Sequence, residues 1–217
     1  MRFISTWRDR AQLRHNEGKP TYRNRAMIAT PHPDRMTIAA YLEWEPLQEL
    51  RYEYVHGTVT AMTGRTIPHN DIALNLYRTL YPQVQANGCR INVADVKVEV
   101  SSNSPYYYPD VIVTCDPRDL TARKLLRYPK LIIEVLSPGT EAKDRGEKFA
   151  HYRSSPTLQE YVLVESEKIG VECYRRGEGR FWLYYPYTSG DIITLESIGC
   201  SIPIELLYEN VTFEENP

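Results

Sequence analysis

Tyr106-Tyr-Tyr-Pro-Asp110-Val-Ile-Val-Thr114 and, 24 residues beyond its aspartate, Leu131-Ile-Ile-Glu134-Val-Leu-Ser137 decide how this 217-residue chain is read. Within them, Tyr108–Thr114 and Leu131–Leu136 are short apolar runs, rich in Val and Ile and too brief for independent helices. They read as central β-strands buried on both faces. Each carries one carboxylate that an apolar strand does not call for: Asp110 at the start of the first, Glu134 inside the second. An ionised carboxylate in such a place is costly unless it is paired or bound to metal. Two of them on adjacent strands repel one another, and a divalent cation between them removes that cost. Mg²⁺ (or Mn²⁺) suits such a pair, because Mg²⁺ takes one or two carboxylates and completes its shell with waters and phosphate oxygens. A purely structural account of the same residues has Glu134 in a salt bridge and Asp110 capping a turn.

Working outward, Pro68 to Asn87 reads as the clearest helix. Ile72, Leu76, Leu80 and Val84 recur every four residues, and Gly88 stops it. A shorter helix is expected from Met36. Arg51–Val55 and Thr58–Met62 flank His56-Gly57, which predicts a tight hairpin. Residues 91–100 read as one strand, with Val96, Val98 and Val100 inward and Lys97 and Glu99 outward. After the turn at 137–140 comes a charged helix over about 141–154. Strands at 161–164, 171–174 and 181–185 follow. The order predicts an α/β domain, residues 36–217, built on a mixed central β-sheet flanked by helices, with the hairpin as an N-terminal extension.

Hydrophobic residues make up 42% and charged residues 25% of the chain, a globular balance that excludes a disordered one. No apolar run approaches the roughly 18 residues that span a bilayer, so no membrane partner is expected. The opening twenty residues lack the apolar core of a secretory signal. Charge is unevenly spread. Residues 1–35 hold eight basic and three acidic side chains, a net of +5; removing these from 26 basic and 28 acidic residues leaves 18 and 25, a net of −7 for 36–217. That leader reads as a flexible basic arm, or else the domain begins at Met27 or Met36. The acidic body counts against tight, non-specific nucleic-acid binding, though not against a local basic groove. Cys89, Cys115, Cys173 and Cys200 form no CxxC pair, which argues against structural zinc and a disulfide framework. Four reduced, mostly buried thiols and a cytoplasmic location are the expectation.

Pro109-Asp110 followed by Glu134 in a Val/Ile/Leu strand resembles the PD-(D/E)XK nuclease superfamily. The wider series is more specific: Tyr52-Glu-Tyr-Val-His-Gly57, His69 opening a helix, Pro109-Asp110-Val, Ile133-Glu-Val-Leu-Ser-Pro138, Asp144-Arg-Gly-Glu-Lys148 and Glu160-Tyr-Val-Leu-Val164 resemble the Uma-two family of restriction-endonuclease-like proteins. The resemblance runs from 36 to about 200. It implies a restriction-endonuclease-like fold with the metal site at one edge of the sheet, Asp110 and Glu134 as metal ligands, and Glu53 as a further ligand or a contact to a metal-bound water. It departs from the superfamily's simplest pattern at 136, where the E-x-K lysine is replaced by Leu136. Lys148 is the candidate replacement, on a stripe with Asp144 and Tyr152 at spacing i, i+4, i+8; Lys97 is the second choice.

Lesser candidates surround these. Ser137 ends the Glu134 strand and either bonds a carboxylate or caps the next helix. His69 either contacts phosphate or moves a proton, or is an ordinary residue at a helix start. Residues 116–130 carry Arg118, Arg123, Lys124, Arg127 and Lys130 and link the two carboxylate strands, so their basic face is expected beside the site to grip phosphates. The expected activity is divalent-metal-dependent hydrolysis of DNA phosphodiester bonds, with a homodimer as a plausible arrangement. The competing readings are a non-catalytic nuclease-fold module that binds nucleic acid or a protein, and hydrolysis of another phosphate ester.

Overall fold

The two apolar runs are adjacent strands at the centre of a six-stranded sheet. The computed structural model describes residues 35–62, 64–102 and 105–213, so the leader reading for 1–35 lies, Arg35 apart, outside the described residues. β6 (Val111–Thr114) and β8 (Leu131–Val135) pair antiparallel, with Val111 opposite Ile133 and Val113 opposite Leu131. Around them the order is β11 (Trp182–Tyr187), β10 (Val171–Arg176), β9 (Glu160–Val164), β8, β6 and β3 (Arg90–Val93). The β8–β9 pair is parallel and the rest are antiparallel, so the sheet is mixed.

The short helix expected from Met36 forms as α1 (Ile38–Trp44). Alternation along the strands gives the sheet two buried faces. Val111, Val113, Leu131, Ile133 and Val135 pack under α2 (Ile67–Ala86), through its Ile72, Leu76, Leu80 and Val84. Ile112, Ile132 and Leu136 face a second core with Tyr107, Tyr152 and Tyr161. α2 begins where Thr66 accepts the His69 N–H, and Pro68 occupies its first turn, where no donor is needed. A two-stranded unit, β12 (Ile192–Leu195) with β13 (Cys200–Pro203), closes the α2 side.

The hairpin forms as β1 (Tyr52–Val55) and β2 (Thr58–Ala61). His56 (φ 46°) and Gly57 (φ 98°) supply the two positive φ values of a tight turn, and a Cβ on Gly57 would lie 2.7 Å from that of Arg35. It is more than an extension. β1 also pairs with β5 (Tyr106–Tyr107), and a second sheet continues through β4 (Lys97–Glu99) to β7 (Leu125–Leu126). The single strand expected over 91–100 is therefore two. Ala94 and Asp95 take positive φ (48° and 42°), which breaks the run and sends its halves into different sheets. This break also buries Lys97 and Glu99, both expected outside. Lys97 Nζ lies 2.7 Å from Glu45 Oε2, and Glu99 accepts from Tyr106 Oη (2.9 Å) and Arg127 Nε (2.5 Å). Lys97, the second choice for the missing lysine, is thus committed to Glu45.

The cysteine expectation fails for one pair. Cys89 and Cys115 are disulfide-bonded, while Cys173 and Cys200 are free and buried. The cause is register: Arg90 lies opposite Thr114 on β3 and β6, so the residues one step beyond face each other despite a sequence separation of 26. The bridge also withdraws the cysteine-based support for a reducing compartment. Among the described residues no helix is long and apolar enough to cross a membrane.

Candidate active site

The register that pairs Ile112 with Ile132 makes Asp110 and Glu134 the next opposed positions on the same face. The Val135 N–H donates to Asp110 Oδ2 (2.8 Å), and the Asp110 N–H reaches Glu134 Oε2 at 3.4 Å. Both carboxylates are almost wholly buried, yet both line a cavity of about 500 Å³. Two opposed strand positions have thus become one acidic wall.

Two further elements add charge to that wall. Glu53 on β1 and Asp144 are buried beside it. Residues 141–152 form one helical segment interrupted by a wide turn, with i→i+5 hydrogen bonding, over Asp144–Lys148. Such turns recur at functional positions. Here Asp144, Lys148 and Tyr152 converge. Lys148 Nζ lies 3.0 Å from Asp144 Oδ1, 3.1 Å from Glu134 Oε1 and 3.1 Å from Glu53 Oε1. The Tyr152 hydroxyl donates to Glu134 Oε1 (3.1 Å). Leu136, just past β8, packs into the second core, while Lys148 reaches Glu134 from the helical segment.

The electrostatics follow from this crowding. Burial alone would discharge Lys148, but Glu134, Glu53 and Asp144 hold its charge and raise its pKa well above the usual lysine value. One ammonium cannot balance three carboxylates. Burial pushes Glu134 up to about 8; Lys148 opposes this, and Asp144, Asp110 and Glu53 add to it. Burial also works to raise Asp110, but His69, Arg65 and the Val135 N–H together hold it below the ordinary carboxylate value. His69, at the start of α2, is buried with Nε2 3.2 Å from Asp110 Oδ2 and its Nδ1 without a hydrogen-bond partner among the described residues. It is therefore no surface residue of the helix start. Ser137 lines the cavity and shares a hydrogen bond with Thr140 (3.0 Å).

Arg123 and Lys124, expected to grip phosphate, lie elsewhere. β6 and β8 are antiparallel, so the segment joining them leaves from the Thr114 end, four strand residues or roughly 13 Å from Asp110. No residue of 116–130 lines the cavity. Two of its basic residues are neutralised locally, Arg127 by Glu99 and Arg118 by Asp116, with Arg118 also over the Tyr128 ring. The cations at the site come instead from two residues that the sequence reading passed over. Arg65, on the β2–α2 connection, lies 2.7 Å from Asp110 Oδ1, and Lys143 lies 2.6 Å from Glu53 Oε2. Neither has a periodic or motif signal; the only hint was Arg65's place four residues before His69.

Among the described residues, no group of three or more His, Cys, Asp or Glu side chains is gathered as a metal-binding set. The donors nevertheless fit a hard divalent ion. Asp110 and Glu134 offer opposed carboxylate oxygens, and the surplus charge that raises Glu134 is the charge such an ion neutralises.

Comparison with known proteins gives a consistent picture. The family model described as "Uma2: Putative restriction endonuclease" matches residues 38–205. The uncharacterized protein slr1290 of Synechocystis sp. is 36% identical over 185 residues, covering 85% of this chain and 97% of its own length. The uncharacterized protein sll1609 of the same organism is 32% identical over 150 residues, or 68% of this chain and 85% of its own. The solved structure of a "putative nuclease belonging to DUF820" from Anabaena variabilis has a TM-score of 0.67 and covers 80% of this chain and 98% of its own. Its 17% identity makes that a likeness of fold.

Proposed function

The chain belongs to the Uma2 family of restriction-endonuclease-like proteins, and from that premise we propose that it is an endonuclease that hydrolyses DNA phosphodiester bonds with Mg²⁺ or Mn²⁺. One observation carries the reading: Asp110 and Glu134 face each other across β6 and β8 at a cavity, and Lys148 Nζ stands 3.1 Å from Glu134 although the E-x-K position holds Leu136.

Asp110 and Glu134 would hold the ion, with Glu53 as a further ligand or a contact to a bound water. When bound, a divalent ion lowers the pKa of a coordinated water and polarises the scissile phosphate. The protein's own groups prepare the rest. Lys148 keeps its proton and presents a charge where a phosphoryl oxygen gains negative charge in the transition state. Tyr152 and Lys148 fix the Glu134 carboxylate, and Asp144 fixes Lys148 from the preceding turn. His69 and the Val135 N–H anchor Asp110 through a single oxygen, Oδ2. Duplex DNA presents two strands, and a two-fold homodimer would bring two such sites to them.

The competing reading, a nuclease-fold module that binds without cutting, draws on Leu136 and the net −7 of 36–217. Mn²⁺ titration with Asp110→Asn separates the two. The catalyst gains thermal stability with Mn²⁺ and nicks plasmid DNA, and Asp110→Asn loses both. Purified protein that neither binds a divalent ion nor cuts single-stranded, duplex or branched DNA is the module.

A further inference from the structure

The two oxygens of Asp110 are held differently. Oδ2 receives the Val135 N–H (2.8 Å) and lies 3.2 Å from His69 Nε2, both from buried, fixed elements. Oδ1 is met by Arg65 at 2.7 Å. Arg65 reaches in from the cavity rim, with a side chain 27% exposed against 5% for Asp110. Lys148 makes three carboxylate contacts and is 8% exposed, so it cannot leave without depriving Glu134 and Asp144 of their cation, though Glu53 would keep Lys143. Arg65 leaves only one acid behind, and that acid keeps its anchors.

Resting on the nuclease reading above, we propose that Arg65 is a displaceable cap. It covers Asp110 Oδ1; were a divalent ion to be held by Asp110, the guanidinium would pass to a phosphate of the DNA substrate. A guanidinium and a divalent cation compete for one carboxylate oxygen, since each repels the other at such range. The released group stays tethered at the rim of a cavity about 500 Å³ in volume. Its planar fork of N–H donors matches a phosphate's oxygens better than an ammonium does. The same arginine would thus serve first as counter-charge to Asp110 and then as phosphate contact, doing the work expected of Arg123 and Lys124.

This makes two expectations of opposite sign for Arg65→Ala. Calorimetric titration of the full chain with Mn²⁺ alone should show binding about three- to tenfold tighter than wild type, the loss of one partly exposed ion pair. Fluorescence anisotropy with duplex DNA in Ca²⁺ should show affinity weaker by a similar factor, and KM for cleavage should rise more than kcat falls. Arg65→Lys, which keeps the charge, should restore the Mn²⁺ affinity largely and the DNA affinity only in part. Arg118→Ala, which removes a distant exposed charge, should change neither. Equal or weaker Mn²⁺ binding by Arg65→Ala, or tighter Mn²⁺ binding with unchanged DNA affinity, overturns the cap. Wild-type protein that binds no Mn²⁺ overturns the nuclease reading itself, and the cap with it.

Discussion

Glu134 and Glu160 are buried acids on neighbouring parallel strands, β8 and β9, and they are held in opposite ways. Glu160 accepts from Arg175 Nε (2.8 Å), the Glu196 N–H (3.1 Å), the Ser197 N–H (3.0 Å) and the Ser197 hydroxyl. The remaining Arg175 nitrogens are also spent, on Glu196 Oε1 (2.5 Å) and the Thr194 carbonyl (2.7 Å). Charge is balanced and the lone pairs are filled, so this carboxylate fastens the β12–β13 unit to the sheet. Glu134 shares one ammonium with two other acids and borders a cavity. Burial and negative charge are common to both; what separates them is that Glu160 has both oxygens filled by donors, whereas Glu134 crowds with other acids at the wall of the cavity.

The contrast can be broken at either end. The largest effect should come from Glu134→Gln, which should lower Mn²⁺-supported cleavage by about a thousandfold or more, about 4 kcal/mol of barrier, and abolish the Mn²⁺-induced rise in Tm. Its stability in metal-free buffer should shift by less than about 1 kcal/mol, because the exchange relieves surplus charge. A larger loss in urea would mean Glu134 is structural after all. Next, Glu160→Gln should cost about 3 kcal/mol of folding stability, since it removes the buried counter-charge of Arg175 and leaves it only the exposed Glu196. The Mn²⁺-induced shift in Tm should persist; if it vanished, the two acids would not be separable as argued. Smallest is Arg123→Ala with Lys124→Ala, which should alter stability by under about 0.5 kcal/mol and DNA affinity by less than about twofold. A marked loss of binding would return the phosphate grip to the 116–130 segment.

Much of this was legible in residue order. The apolar runs, the hairpin at His56-Gly57 and the four-residue repeat of α2 all follow from local pattern and turn chemistry, and they form where expected. The pairing of Asp110 with Glu134 was legible too, because each interrupts a pattern that otherwise explains itself. The rim cations were not. Arg65 and Lys143 sit in connections, where no periodicity marks a residue, and they reach the site only through the fold. The Ala94-Asp95 break was hidden because residues 91–100 alternate smoothly through it. The placement of Arg123 and Lys124 was open to deduction: with one acid at the start of its strand and the other near the end of its own, antiparallel strands must send their connection to the opposite end.

The pairing of Val111 with Ile133 binds chemistry to folding in one further respect. A slip of a single position between these strands would turn one strand's set, Val111 with Val113 or Leu131 with Ile133, away from α2, and it would part the two carboxylates in the same movement. The packing under the helix therefore acts as a proofreader. Any misalignment that would part the acidic pair also sets side chains fitted to one core into the other.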